Sequence, residues 1–385
     1  MPKQLSPDPP AWIAQKAPHD DLVLFSECSL ARNLGGLPFT AACSEEERRS
    51  VESRVREALT ALGGRFPGEY IAMDSLSLRE RRYLAERHVI GAEFIEGLSP
   101  RGVYVCEEQG LSVMLNGPDH VCIRQLLPGL QLNQAWNHVN QLDNALASAL
   151  DFAFHPALGF LTSSLSMVGT GLKMGALFHL PGLAANGGLP ALSDKASEAS
   201  LILQGVFVGA QLSESTSRRG CRSLSETLET SLEQSIFGDT TGLLGCSLSQ
   251  ASGDLYFLVN RTTLGISESE IVFQLQHLAG LLLDQEEEAR RDWLQASLLG
   301  LEDRVGRARA LAGGARLMGF SESLALLSSL RLGIATGVLK GHNLADINGL
   351  LFRSQWGQLE SKHREPFDVV HANEERAKLF RNSFN

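Results

Sequence analysis

The stretch Gly169-Thr170-Gly171-Leu172-Lys173-Met174-Gly175-Ala176-Leu177-Phe178-His179-Leu180-Pro181-Gly182 decides how this chain is read. Gly-Thr-Gly opens it as a turn, because glycine reaches backbone angles that other residues avoid. The GxxxxGK[ST] spacing of a Walker loop is absent, so the glycines do not by themselves cradle a phosphate. Ala176 to Leu180 then reads as a strand, and Lys173 places one cation between turn and strand.

Outward from this strand, short apolar runs recur at Val103–Val105, Leu111–Leu115, Val121–Ile123, Leu201–Val208 and Leu255–Val259, most of them bounded by glycine or proline. Asp21-Leu-Val-Leu-Phe25 reads as a further short strand. Such runs predict antiparallel strands. Two helices stand among them. Ser44 followed three residues later by Glu47 has the form of a capping box, with Val51, Val55 and Leu59 at helical spacing behind it. Ala135, Val139, Leu142, Leu146 and Leu150 mark a second helix over residues 133–150. The order is irregular, which predicts an α+β fold rather than repeated βαβ units.

Residues 211–250 form a Ser-, Thr- and Gly-rich insertion carrying Arg218, Arg219 and Arg222, with a short helix expected over Leu224, Leu228, Leu232 and Ile236. From Glu268 onward the pattern is helical. Leu294, Leu298, Leu301, Val305 and Ala308 mark one helical face, and Leu324, Leu327 and Leu330 another.

The net charge of -10 argues against broad binding to nucleic acid or anionic lipid. Six scattered cysteines with no CxxC pair give no metal-ligand spacing and fit reduced thiols in a cytosol, so the expected location is cytoplasmic. The richest apolar run, Ile271–Leu283, is interrupted by Gln274, Gln276 and His277 and falls short of a membrane span.

Several segments carry a family signature by their order: Leu30-Ala-Arg-Asn-Leu34 with Pro38-Phe39, Glu86-Arg-His-Val-Ile90, Asp119-His120, Leu127-Pro-Gly-Leu-Gln-Leu132, Leu158-Gly-Phe-Leu161, Gly169-Thr-Gly171 to His179-Leu-Pro181, and Asn260-Arg-Thr-Thr-Leu-Gly265. Leu301-Glu-Asp-Arg304 and Arg331-Leu-Gly-Ile334 continue the series. Taken together they resemble the bacterial protein-arginine kinases of the McsB type, relatives of the creatine and arginine kinases in the ATP:guanidino phosphotransferase (phosphagen kinase) superfamily. The resemblance implies a guanidino-kinase fold: a small helical N-terminal lobe and an antiparallel β-sheet flanked by helices, followed by a C-terminal helical domain. The expected division is a mobile arm over 1–18, a catalytic-fold domain over 19–285 with its small lobe at 19–75, and a helical dimerisation or interaction domain over 286–385.

The same resemblance places the active site, and this chain departs from it there. Where the family has Ser-Arg-Val-Arg, the chain has Ser26-Glu27-Cys28-Ser29, so Glu27 and Ser29 stand at phosphate-arginine positions. In Asn116-Gly-Pro-Asp-His-Val-Cys-Ile123, Pro118 replaces an acceptor-binding glutamate and Cys122 another arginine. Arg124 lies two residues farther along and shares a strand face with Cys122, so it is the candidate substitute. Ser164 replaces the family's thiolate cysteine, Gln204 the next phosphate arginine, and Lys173 the arginine of the opening strand. Val208-Gly209-Ala210 stands where the family has Gly-Glu-Gly, with Glu214 as a possible stand-in from the insertion. His88 matches a nucleotide-contacting histidine. Near the C-terminus, Arg376 and Ala377 are what persists of the family's phosphoarginine-binding Arg-Asp-x-x-Arg-Ala.

Arginines at a transferring phosphoryl group contribute ~10³- to 10⁵-fold, so losing four and softening a fifth is expected to end normal turnover. The expectation is a pseudokinase without a metal or resident cofactor of its own, Mg-ATP being the ligand of any surviving cleft. It would be a homodimer associating with proteins such as an active arginine kinase or quality-control machinery, and not with nucleic acid or membrane. Two alternatives stay open: a divergent active protein-arginine kinase using Lys173 and Arg124, and nucleotide or phosphoarginine binding without transfer.

Overall fold

The computed structural model describes residues 10, 13, 15–96, 100–106, 110–207, 244–363 and 367–384. Gly209, Glu214, Arg218, Arg219, Arg222 and the helix expected over 224–236 lie outside them.

Along the chain, β1 (Val23–Arg32) is followed by α1 (Glu45–Ala61), β2 (Gly68–Ala72) and α2 (Leu78–Glu86). Three strands come next, β3 (Gly102–Cys106), β4 (Leu111–Leu115) and β5 (Val121–Pro128), then α3 (Leu132–Ala147). A two-stranded hairpin, β6 (Phe154–His155) and β7 (Gly159–Phe160), precedes β8 (Leu172–His179), α4 (Pro181–Asn186), α5 (Leu189–Glu198) and β9 (Leu201–Phe207). The sheet is completed by β10 (Leu244–Cys246) and β11 (Leu255–Asn260). Five helices follow: α6 (Glu268–Gly314), α7 (Phe320–Ala335), α8 (Leu344–Arg353), α9 (Trp356–Glu360) and α10 (Val369–Phe384).

Nine strands pair antiparallel in the order β10-β9-β11-β8-β1-β5-β4-β3-β2. The strand expected at residues 21–25 therefore extends to Arg32 and lies at the centre of the sheet. Every residue of β1 is buried, because helices or loops cover both of its faces. One face packs Leu30, Ile123, Leu172, Phe178 and Leu258 against α3 and the first half of α6. The other face carries the candidate site.

The sequence signals at the helix ends act as read. Glu47 N–H donates to Ser44 Oγ at 3.2 Å, and Ser44 N–H donates to Glu47 Oε2 at 2.7 Å, closing the capping box. Val51, Val55, Ala58 and Leu59 of α1 join the core of the sheet itself, so the expected small helical lobe shares that core. The expected arm is also partly packed: Ile13 is buried on the sheet, and Pro18 O accepts from Leu130 N–H at 2.9 Å. An isoleucine near an apolar sheet face gains by burial.

Gly169-Thr-Gly171 is a turn whose glycines are sterically required. Gly169 has φ +117, and a Cβ there would lie 2.2 Å from Thr263 O. Gly171 has φ +66, with Ala31 O 2.6 Å from its would-be Cβ. The turn thus seats β8 against β1 and the 260–265 loop.

Helix α6 runs through residue 286, the expected domain boundary, and is interrupted at Ser297 (φ -157, ψ 64). Its first half still serves the sheet there, since Glu286 accepts from Gly182 N–H at 2.9 Å and from Leu183 N–H at 2.8 Å. Beyond Ser297, Leu301, Val305 and Ala308 pack with Leu327, Leu330 and Phe380 in a second core. The expected leucine stripes are therefore largely internal, although Leu298 remains 48% exposed. Arg376 is internal too: its guanidinium donates to Ser354 O, Met318 O and Asn373 Oδ1, each at 2.8 Å. Among the described residues, no helix is long and apolar enough to cross a membrane.

Candidate functional site

The centre of the sheet sets the geometry. Ser29 on β1 lies opposite Arg124 on β5 and opposite Lys173 on β8. With strands about 4.8 Å apart, Arg124 and Lys173 flank it across roughly 10 Å. Two residues earlier on the same face, Glu27 lies opposite Leu126 and Gly175. Cys122 lies opposite Ala31, and Gln204 opposite Phe257. Period-two alternation therefore gathers Glu27, Ser29, Cys122, Arg124, Lys173 and Gln204 on one sheet face. The i and i+2 relation read between Cys122 and Arg124 puts both of them on this face.

Among the described residues, the cations of this face lie against an acid. Arg124 is fully buried, and its Nε lies 3.2 Å from Glu27 Oε1. Its Nη1 donates to His88 O at 3.3 Å. Burial pushes the Glu27 carboxyl up to about 7, opposed first by Arg124 and then by Lys173. The two glutamate oxygens and Arg124 Nε and Nη2 make no well-aligned hydrogen bond, so the pair is held by charge attraction. Arg124 reaches the place that i+2 geometry predicts, and the substituted acid neutralises it. Lys173 is half-buried and acts on the same carboxyl.

At one end of this face an aromatic cluster fills the space. His88 sits past the end of α2 at φ +57, and it is buried. Its ring centroid lies 5.5 Å from that of Phe25 and 6.0 Å from that of Phe352 on α8. Phe25, Leu126, Leu177, Val206, Phe257 and Phe352 form one buried apolar cluster there.

The region around residue 119 is an organised strand end. Asn33 Nδ2 donates to Asp119 Oδ1 at 2.6 Å, which also accepts from Ser163 N–H at 2.6 Å. His120 N–H donates to Asn33 Oδ1 at 3.0 Å, and His120 Nδ1 accepts from Leu34 N–H at 3.0 Å. Burial lowers the His120 pKa, as expected for a neutral ring in this structural role. Pro118 contributes its carbonyl to Ser163 Oγ at 2.7 Å and carries no acid toward the cleft. Ser164 Oγ pairs with Ser166 Oγ at 2.8 Å, a hydroxyl partner that leaves it no base. Burial pushes the Cys122 thiol up to about 12, so it supplies no thiolate at neutral pH.

His179 belongs to the domain junction. Its Nε2 lies 3.0 Å from Ser328 Oγ, which donates to Asp254 Oδ2 at 2.5 Å, and burial holds its pKa well below the usual range.

No three of the described His, Cys, Asp and Glu residues cluster as a metal site. Among the described residues, the lining of this face does not fit Mg-ATP: Glu27 is an acid set among its cations, Arg124 lies against it, and aromatic side chains close one end. Sequence reading missed Phe25 and Phe352. Phe25 carried a signal, being two residues before Glu27 on the same strand face. Phe352 carried none, because only the tertiary fold brings it to β1.

The model of the ATP:guanido phosphotransferase C-terminal catalytic domain matches residues 50–218, and that of the protein-arginine kinase McsB C-terminal domain matches residues 298–385. A protein-arginine kinase of Symbiobacterium thermophilum is 32% identical over 377 residues, covering 96% of this chain and 95% of the relative. One from Pelotomaculum thermopropionicum is 31% identical, covering 89% and 86%. Among solved structures, the duplicated taurocyamine kinase of Schistosoma mansoni with bound transition-state-analogue components superposes with a TM-score of 0.54 at 20% identity. That match covers 74% of this chain and 37% of the duplicated one. A lombricine kinase gives 0.53 at 19% identity, covering 71% and 68%. These structures share the fold.

Proposed function

This chain belongs to the protein-arginine kinase family of the ATP:guanido phosphotransferases, and from that premise we propose that it is a catalytically degenerate member acting through protein association. The observation that carries the reading is the buried Glu27–Arg124 pair. A phosphoryl group in flight needs unpaired cations aimed at its oxygens. Here the acid at a phosphate position has claimed the arginine best placed to compensate. Pro118, Ser164 and Gln204 support the same reading, since none supplies the charge that its family counterpart does.

The same reading assigns the C-terminal helical domain to protein contacts, including a homodimer and association with an active arginine kinase or quality-control proteins. The expected location is the cytoplasm, where such partners act.

The test is calorimetry with Mg-ATP, together with an assay for acid-labile phosphoarginine on an arginine-rich substrate. The expected outcome is no saturable heat at millimolar nucleotide and no phosphoarginine. ATP-dependent phosphoarginine that disappears in Lys173→Ala would overturn the reading in favour of a divergent kinase.

A further inference from the structure

The C-terminal helical domain makes a second set of contacts that closing its own core does not require. Helices α8 and α9 reach back to the sheet domain beside the candidate site. Gly357 N–H and Gln358 N–H, in the first turn of α9, donate to Glu86 Oε1 and Oε2 at 2.7 and 2.9 Å. Gln358 Nε2 donates to Tyr83 O at 3.2 Å, and Arg79 lies 3.5 Å from Glu360. The approach is close enough that a Cβ on Gly357 would stand 2.9 Å from Glu86 Oε2. Four residues before α9 begins, Phe352 enters the apolar cluster of the sheet face and packs its ring against His88, only two residues beyond Glu86.

We propose that α8 and α9 are the built-in occupant of this end of the cleft, with Phe352 as the plug and the Glu86–Gly357 contact as its latch, so that C-terminal docking and nucleotide binding exclude each other. This rests on reading the sheet face as the family's ligand cleft. The physical argument is one of shared space. A planar aromatic ligand beside His88 needs ring surface of His88 that Phe25 and Phe352 already approach, and a ring cannot enter a packed cluster without displacing one. The latch makes displacement costly, because moving α9 away strips a carboxylate of two amide donors. The chain thus holds its own ligand at high effective concentration through a covalent connection.

The test uses the full-length chain. Hydrogen exchange is measured on wild type and on Gly357→Ala, a single methyl placed against the latch. The expected result is at least tenfold faster exchange in residues 344–360 together with residues 84–90, while β8 and α3 stay protected. Faster exchange confined to 344–360 would overturn the plug.

A second arm titrates Mg-ADP into Glu27→Gln, Glu27→Gln/Phe352→Ala and Glu27→Gln/Gly357→Ala. The double variants are expected to bind at least tenfold more tightly than the single one. Equal binding by all three would overturn the plug and leave the degenerate-kinase reading standing. So would an absence of binding by double variants whose 344–360 segment has opened. Phosphoarginine formation by the wild type would instead sink the degenerate-kinase reading, so the two failures are distinguishable.

Discussion

A buried acid beside a buried arginine has a testable cost on each side. Arg124→Ala removes the nearer cation and leaves the enclosed Glu27 with only the half-buried Lys173 acting on it, which is expected to destabilise the fold by about 3 kcal/mol. Replacing both, as Glu27→Leu with Arg124→Met, is expected to be nearly neutral, since it removes two desolvation penalties together. Chemical denaturation of the two variants checks the contrast. What was legible from the chain at this scale is that Arg124 lies on the strand face of Cys122; that Glu27, Ser29, Lys173 and Gln204 share this face follows from strand registers that the sequence does not display. The pairing of Glu27 with Arg124 was not legible. It depends on the register of β1 against β5, and residues 27 and 124 carry no mark of that register.

At the scale of elements, two enclosed carboxyls make stability depend on pH. Glu86 is half-buried as a residue, but its carboxylate is turned under α9, and burial pushes it up to about 7 against the opposing amide donors of Gly357 and Gln358. Glu27 also stands at about 7. A carboxyl raised in the folded state holds a proton that the unfolded chain has released. Its contribution is fully present below about 4.5 and is lost as pH rises through about 7. His179, held well below its ordinary 6.5, works in the opposite sense, losing stability as pH falls below that value. Glu286, also raised by burial, adds to the carboxyl side and His120, also lowered by burial, to the imidazole side; the three carboxyls outweigh the two imidazoles between pH 5 and 7, so the thermal midpoint is expected to fall by several degrees from pH 5.5 to 7.5. Glu86→Gln is expected to flatten that slope, and a midpoint that rises over the same range would contradict the assignment. The capping box at Ser44 and the stripe of α3 were readable because each is local. The contact between α2 and α9 joins segments about 270 residues apart and leaves no local pattern.

For the whole molecule, the decisive element is α6, which supplies Ile271, Leu275 and Leu282 to the core under the sheet and Leu301, Val305 and Ala312 to the helical core. A shared helix and the α8–α9 contact link the two cores, so calorimetric unfolding is expected to show one cooperative transition. Two resolved transitions would mean that the break at Ser297 uncouples them. Because the cleft is filled from within, millimolar Mg-ATP is expected to leave the midpoint unchanged, whereas a ligand binding only the folded state would raise it.

The α+β class and the helical C-terminal unit were legible in the sequence, but the central place of β1 was not, and it bears on biogenesis. Among the described residues, the first strand along the chain is the middle of the sheet. Its neighbours β5 and β8 begin at Val121 and Leu172. Until β5 has been made, about 100 residues later, Val23-Leu-Phe25 and the acid behind it have no ladder to join, and the second neighbour, β8, comes about 50 residues after that; pairings of such long sequence separation form slowly. The nascent chain therefore passes through an extended interval with its future centre exposed, during which aggregation competes with folding.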